Sequence, residues 1–368
     1  MALRSKRSSA AKAEPTATRS SPSSANAERP SAALPLFQAI LDAPEDDDPR
    51  LVYADWLLER GDERGEFIQI QCALGDRLHG ARGLRGRRRK EYDMSPEELI
   101  AREKTLLKKH QRQWLAPFRA FVRTWVWKRG FVESVEADGK TFLDGAETVF
   151  ANTPLEHAAL TAMKPPLLER LAQMKALRAL RSLHLGQQRI GPKEATVFHS
   201  ENLVNVRKLD LWGNPLGDDG ALVLSRAARL DALTSLGLAS CKLTARGVDA
   251  LSRAPFFPRL TRLELRYNDG LGPLVGEALV RGESLVELSL GSNQIGDDGL
   301  AAIAGSPTMK NLETLELYGN DITERGVEVL VKSPHLARLK RVRGLIGSCD
   351  ELEEGTRGAK MLEERFPE

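Results

Sequence analysis

The side chains of this sequence that could recognise something recur at one spacing. Trp212, Arg266 and Tyr318 alternate with Gly186, Ala239 and Gly291. Trp, Tyr and Arg are the side chains most enriched at binding hot spots, and small residues between them would leave pockets. His184, Asp210, Arg262, Glu264, Tyr267, Glu287 and Glu316 fall beside that column. The bland alternative is that Trp212 and Tyr318 only cover the small residues on neighbouring strands and stabilise a sheet. Nothing asks for catalysis. The chain has no nucleophile elbow, phosphate loop, dinucleotide fingerprint or zinc motif. Six histidines are scattered, and Cys72, Cys241 and Cys349 lack CxxC spacing, which fits a reducing compartment better than a disulfide framework. Neither a metal nor a cofactor is expected.

The elements that must hold the column are repeats. The pattern L-x-x-L-x-L-x-x-N-x-L is filled by Leu180, Leu183, Leu185, Gln188 and Ile190, then by Val206, Leu209, Leu211, Asn214 and Leu216. It returns with second leucines at Leu236, Leu263, Leu288 and Leu315, and with Cys241, Asn268, Asn293 and Asn320 at the asparagine position. Leucines alternating at period two point from a short strand into one core. The asparagine position calls for a small side chain that bonds turn backbone. Gly217-Asp218-Asp219-Gly220 and Gly296-Asp297-Asp298-Gly299 place acids where returning helices would begin. Weaker copies at Val132/Val135/Ala137, Leu155/Ala158/Leu160 and Leu336/Leu339/Val342 raise six secure repeats to nine. The fold class is therefore α/β, a horseshoe with parallel strands inside and helices outside, over residues 125–368.

Ahead of it, residues 34–124 read as a small all-α module. Asp48 is its expected N-cap before Pro49, and Ser95-Pro96-Glu97-Glu98 is a capping box. The fourth helix would bury Ile100, Leu107 and Trp114; Tyr53 and Trp56 read as core aromatics, and Asp55 as a turn-bonding acid. The Asp46–Asp48 run suits a helix dipole better than a metal, and Trp125 and Trp127 would pack the joint between the two parts.

Charge is uneven. Residues 1–33 hold six basic and two acidic side chains and read as a disordered tail. Residues 77–90 hold seven basic side chains and no acid, so against a total of +3 the remainder is net negative. Arg82, Arg85, Arg87, Arg88, Arg89 and Lys90, in a mobile basic loop over 79–94, could meet a weak anionic or nucleic-acid partner. At 41% hydrophobic and 29% charged, with no long apolar run and no secretory layout, the chain reads as cytoplasmic and not membrane-bound.

The repeats resemble leucine-rich repeats of the ribonuclease-inhibitor type. Leu51-Val52-Tyr53-Ala54-Asp55-Trp56-Leu57, Arg60-Gly61-Asp62 and Arg64-Gly65-Glu66-Phe67-Ile68 are similar to the bacterial repeat-companion domain found ahead of such repeats. The resemblance implies a scaffold that binds an unidentified protein on its concave face. Regulation of a GTPase is the alternative that fold analogy allows.

Overall fold

The computed structural model describes residues 33–79, 94–268, 270–346 and 352–367. Residues 1–32 of the tail, the basic stretch from Arg82 to Lys90, and Cys349 lie outside the described residues.

Four helices come first: α1 (Leu34–Asp42), α2 (Asp48–Leu58), α3 (Arg64–His79) and α4 (Pro96–Leu115). The capping box at Ser95 forms as expected. Two details differ. Asp47, not Asp48, stands at the N-cap of α2, and Asp46 accepts the Asp48 amide at 3.0 Å, so the acidic run ties a turn instead of capping a helix. On α4 the buried residues are Leu99, Leu106, Trp114 and Leu115, with Ile100 and Leu107 at the flank. Heptad spacing located the stripe, but not which edge of it faces α3.

The strands follow as β1 (Thr124–Lys128), β2 (Phe131–Asp138), β3 (His157–Thr161), β4 (Ser182–His184), β5 (Lys208–Asp210), β6 (Ser235–Gly237), β7 (Arg262–Glu264), β8 (Glu287–Ser289), β9 (Thr314–Glu316) and β10 (Arg341–Arg343). They form one sheet in sequence order. Successive strands from β2 to β10 pair in parallel, and all nine expected repeat strands are present. β1 was not foreseen as a strand. It pairs antiparallel with β2 and closes that end of the sheet with a hairpin.

Leu183, Leu209, Leu236, Leu263, Leu288 and Leu315 are register partners from strand to strand and no more than 2% exposed. Val135 and Ala158 extend that row at one end and Val342 at the other. Helices return behind the sheet: α5 (Gly139–Asn152), α6 (Pro165–Gln173), α7 (Gly217–Ser225), α8 (Ala245–Ser252), α9 (Val275–Leu279), α10 (Gly296–Ala304) and α11 (Glu324–Val331), before a terminal α12 (Arg357–Arg365). Between β4 and β5 the return is made of 3-10 turns over Glu194–His199 and Glu201–Leu203. Among the described residues no helix is long and apolar enough to cross a membrane.

The asparagines behave as their position requires. Asn214 Oδ1 accepts the amides of Gln188 and Ile190 from the preceding coil, both at 2.9 Å, while Nδ2 donates to Leu185 and Leu211 carbonyls. Asn268, Asn293 and Asn320 repeat the pattern. Cys241 donates its thiol to the Leu211 carbonyl at 3.2 Å, and burial pushes that thiol up to about 12, so it stays protonated. The acids after the turn stand in the first turns of α7 and α10 as expected, and two of them also bond the next coil. Asp218 accepts the Thr244 amide at 2.9 Å and its hydroxyl at 2.7 Å, and Asp297 does the same for Thr323. Each of these acids fastens one coil to the helix start of the next.

The first helices and the repeats share a buried joint. Phe131 packs among Phe37, Tyr53 and Ile68, and Trp127 lies against Phe67 and Trp114. Trp125 instead sits beneath the Arg119 guanidinium, 4.7 Å away. Arg50 and Glu133, 0% and 1% exposed at their side chains, pair at 2.8 Å. Arg129 adds bonds to Glu133 and lies 3.6 Å from Asp47 and 3.8 Å from Glu156. Gly130 is held at φ +84°, with Ile68 so close that a Cβ there would meet it at 2.2 Å. Only glycine fits that crossing.

Candidate interaction face of the sheet

Residues between the leucines point away from the helices and form the open face of the sheet. Trp212 follows β5 and is 44% exposed. Its indole lies over Gly186, where a Cβ would meet Nε1 at 2.2 Å. Tyr318 covers Gly291 in the same way, at 2.4 Å. Each aromatic therefore covers a small neighbour, and Trp212 also presents a large apolar surface to solvent.

Tyr267 is 51% exposed, but it stands in the turn after β7 at φ +58°, not in the strand. Its ring lies 6.0 Å from that of Tyr318. Burial, with the phenol's bond to Tyr267, pushes the Tyr318 hydroxyl up to about 12. Arg266 is not a free hot spot. It bonds Glu264 through Nε at 3.0 Å and lies 3.8 Å from Glu316, and these contacts raise its pKa further. Arg262 pairs with Glu287. The face thus has an aromatic and arginine cluster near β7 to β9 whose charges are largely matched within the chain.

Towards β3 to β5 the sheet face forms a groove of about 930 Å³, reaching as far as Glu287. His184 Nδ1 lies 3.3 Å from Asp210 Oδ2, and His184 Nε2 lies 2.9 Å from Ser182 Oγ. Hydroxyl, imidazole and carboxylate in that order are what a serine nucleophile needs. Here Ser182 is 2% exposed, and its amide donates to the Glu156 carbonyl at 3.0 Å. The strand amides are engaged in the ladder, so they do not converge on the place where an acyl oxyanion would form. The arrangement orients the imidazole. Among the described residues no group of three or more His, Cys, Asp or Glu could hold a metal ion.

All ten residues singled out from the sequence thus lie on or beside this face, but they fall into two groups. His184, Asp210 and Trp212 gather at β4 and β5. Arg262, Glu264, Arg266, Tyr267, Glu287, Glu316 and Tyr318 gather at β7 to β9. His157, Ser182 and Lys208 belong to the first group and escaped the sequence reading. Lys208 occupies the repeat position of Arg262, so carrying that phase back two coils would have found it.

The chain matches the family described as Leucine Rich repeat over residues 202–225, 283–304 and 308–331. These segments fall on β5 with α7, β8 with α10, and β9 with α11. No curated protein matches. Among solved structures, a secreted internalin-like protein from Listeria monocytogenes is 16% identical, with a TM-score of 0.31, over 45% of this chain and 53% of that one. TLR13 in complex with ssRNA13 is 18% identical, with a TM-score of 0.34, over 56% of this chain and 30% of that one. An internalin (inlF) from Listeria monocytogenes is 15% identical, with a TM-score of 0.24, over 64% and 94%. The chain spans about half the length of the first of these and under a third of the second. Taken with the strand register and the asparagine ladder, the family match shows leucine-rich repeats over those segments.

Proposed function

We propose that this protein is a binding scaffold whose open sheet face takes a protein partner. The observation that carries the reading is Trp212: a large aromatic held 44% exposed beside a groove, just past the end of a strand whose neighbours are fixed by the ladder. Solenoids use such faces for ligands, and a rigid aromatic contributes contact area at little entropic cost. The coil length of 25–27 residues and the returning helices support the ribonuclease-inhibitor subclass. The first four helices support the companion-domain reading, in which they cover the end of the stack.

The test is affinity capture from the native cell with the intact chain and with Trp212→Ala plus Tyr318→Ala. The wild type is expected to retain a protein that the double variant loses, while circular dichroism and melting show the variant folded. Equal capture by a folded double variant contradicts the reading.

A further inference from the structure

We propose that the groove over β3 to β5 seats an acidic side chain of the protein partner, held between His157 and Lys208 above the Ser182 hydroxyl. This rests on the reading of the open face as a protein-binding surface, and it names the chemistry one part of that surface selects.

Register puts the three residues in line. His157 is the strand partner of Ser182, and Ser182 is the partner of Lys208. Adjacent strands lie about 4.8 Å apart, so the imidazole and the ammonium flank the hydroxyl across roughly 10 Å. That span suits a carboxylate bound from both sides.

Among the groove's cations Lys208 stands without an acid partner. Glu287 is paired with Arg262 and Glu264 with Arg266, whereas Asp210 lies against the His184 ring and, among the described residues, meets no lysine or arginine there. Lys208 is exposed and makes no ion pair among the described residues. Ser134 and Ser235 line the same groove with hydroxyls that can donate to an anion, while Thr234 and Thr261 already donate theirs to backbone carbonyls.

His157 adds a signature. It is half-buried, and burial holds its pKa below the usual value. Of the charged groups around it, Glu156 raises that pKa, while Lys128, Lys208 and His184 lower it further. An arriving carboxylate acts in the opposite sense and favours the imidazolium. By linkage, a ligand that raises the pKa binds more tightly as pH falls and takes up a proton.

The experiment uses the full chain with hexaglutamate as the probe, against hexalysine and inorganic phosphate. Binding is followed by calorimetry at low salt and by the imidazole resonances of His157 and His184. Hexaglutamate is expected to bind and to move both resonances. Its affinity should rise from pH 8 to pH 6 and fall as salt is added. Lys208→Gln should weaken it about fivefold, the size of one partly exposed charge contact. Lys242→Gln, on the turn after β6, should leave it unchanged. Hexalysine binding as well as hexaglutamate, unmoved resonances, or equal effects of the two lysine variants would overturn the proposal. Phosphate moving the resonances as strongly as the peptide would overturn it too, in favour of a small-anion site. Loss of partner capture in the Trp212/Tyr318 variant, with no effect of hexaglutamate, would leave the scaffold function standing and remove this inference alone.

Discussion

Asn293 shows at the scale of one residue how the coils are joined. Its Oδ1 accepts the Asn268 amide at 2.7 Å, and its Nδ2 donates to the Leu265 and Leu290 carbonyls at 3.0 and 2.6 Å, with the side chain fully buried. Alanine would leave these backbone groups without partners and without water. Asn293→Ala is therefore expected to lose about 2–4 kcal/mol in urea unfolding, since each orphaned buried group costs roughly 1–3 kcal/mol. A loss under about half a kcal/mol would mean the ladder is ornamental. The preceding turn has its own demand. Gln187, Gly213, Ser240, Tyr267, Ser292 and Gly319 occupy one repeat position and all have φ near +60°. Glycine meets that requirement at Gly213 and Gly319. Ser240→Gly should raise the melting temperature slightly, because relief of about 1–2 kcal/mol of left-handed strain exceeds the added chain entropy of about 0.4–1 kcal/mol. The asparagine ladder was legible in the sequence because a required residue type recurs at a fixed interval. The left-handed turn was not, since Gln, Ser and Tyr there do not advertise a positive φ.

Between elements, Asp218 and Asp297 link successive coils. Burial pushes the Asp218 carboxyl up, but the Thr244 hydroxyl and amide and nearby Arg246 outweigh it, and the net pKa is lowered. A carboxyl depressed on folding contributes stability that is complete above its unfolded pKa, near 4, and is lost as pH falls through the lower folded value. Asp218→Asn should therefore flatten the acid limb of the stability curve below about pH 4. A variant whose acid limb matches the wild type would remove this role. The sequence placed these acids correctly at helix starts but assigned them to their own helix. Their partners, Thr244 and Thr323, lie a full coil away, and composition at one site cannot show that. The hairpin strand β1 escaped for a related reason: Trp125 and Trp127 alternate like a strand, yet antiparallel pairing breaks the repeat rule that was being followed. The α4 stripe shows the opposite failure, where Ile100 and Leu107 fit the heptad but α3 packs one residue to the side.

For the molecule as a whole, two devices make a platform. One is the leucine stack behind the sheet. The other is the buried charge cluster of Arg50, Arg129, Glu133, Asp47 and Glu156 that joins the first helices to it. Glu133→Ala would strand Arg50 in a site with 0% side-chain exposure, and about 3–5 kcal/mol of stability should go with it. A change under about 1 kcal/mol would show that water enters the joint. No repeat announces this cluster, because its members come from α2, the β1–β2 hairpin and the chain before β3, and only folding brings them together. The central claim concerns which surface the platform presents. A photo-crosslinking residue at Tyr267, exposed on the open face, should form an adduct with the captured partner, whereas the same residue at Leu222, exposed on α7 behind the sheet, should not. Adducts from Leu222 with none from Tyr267 would contradict the account.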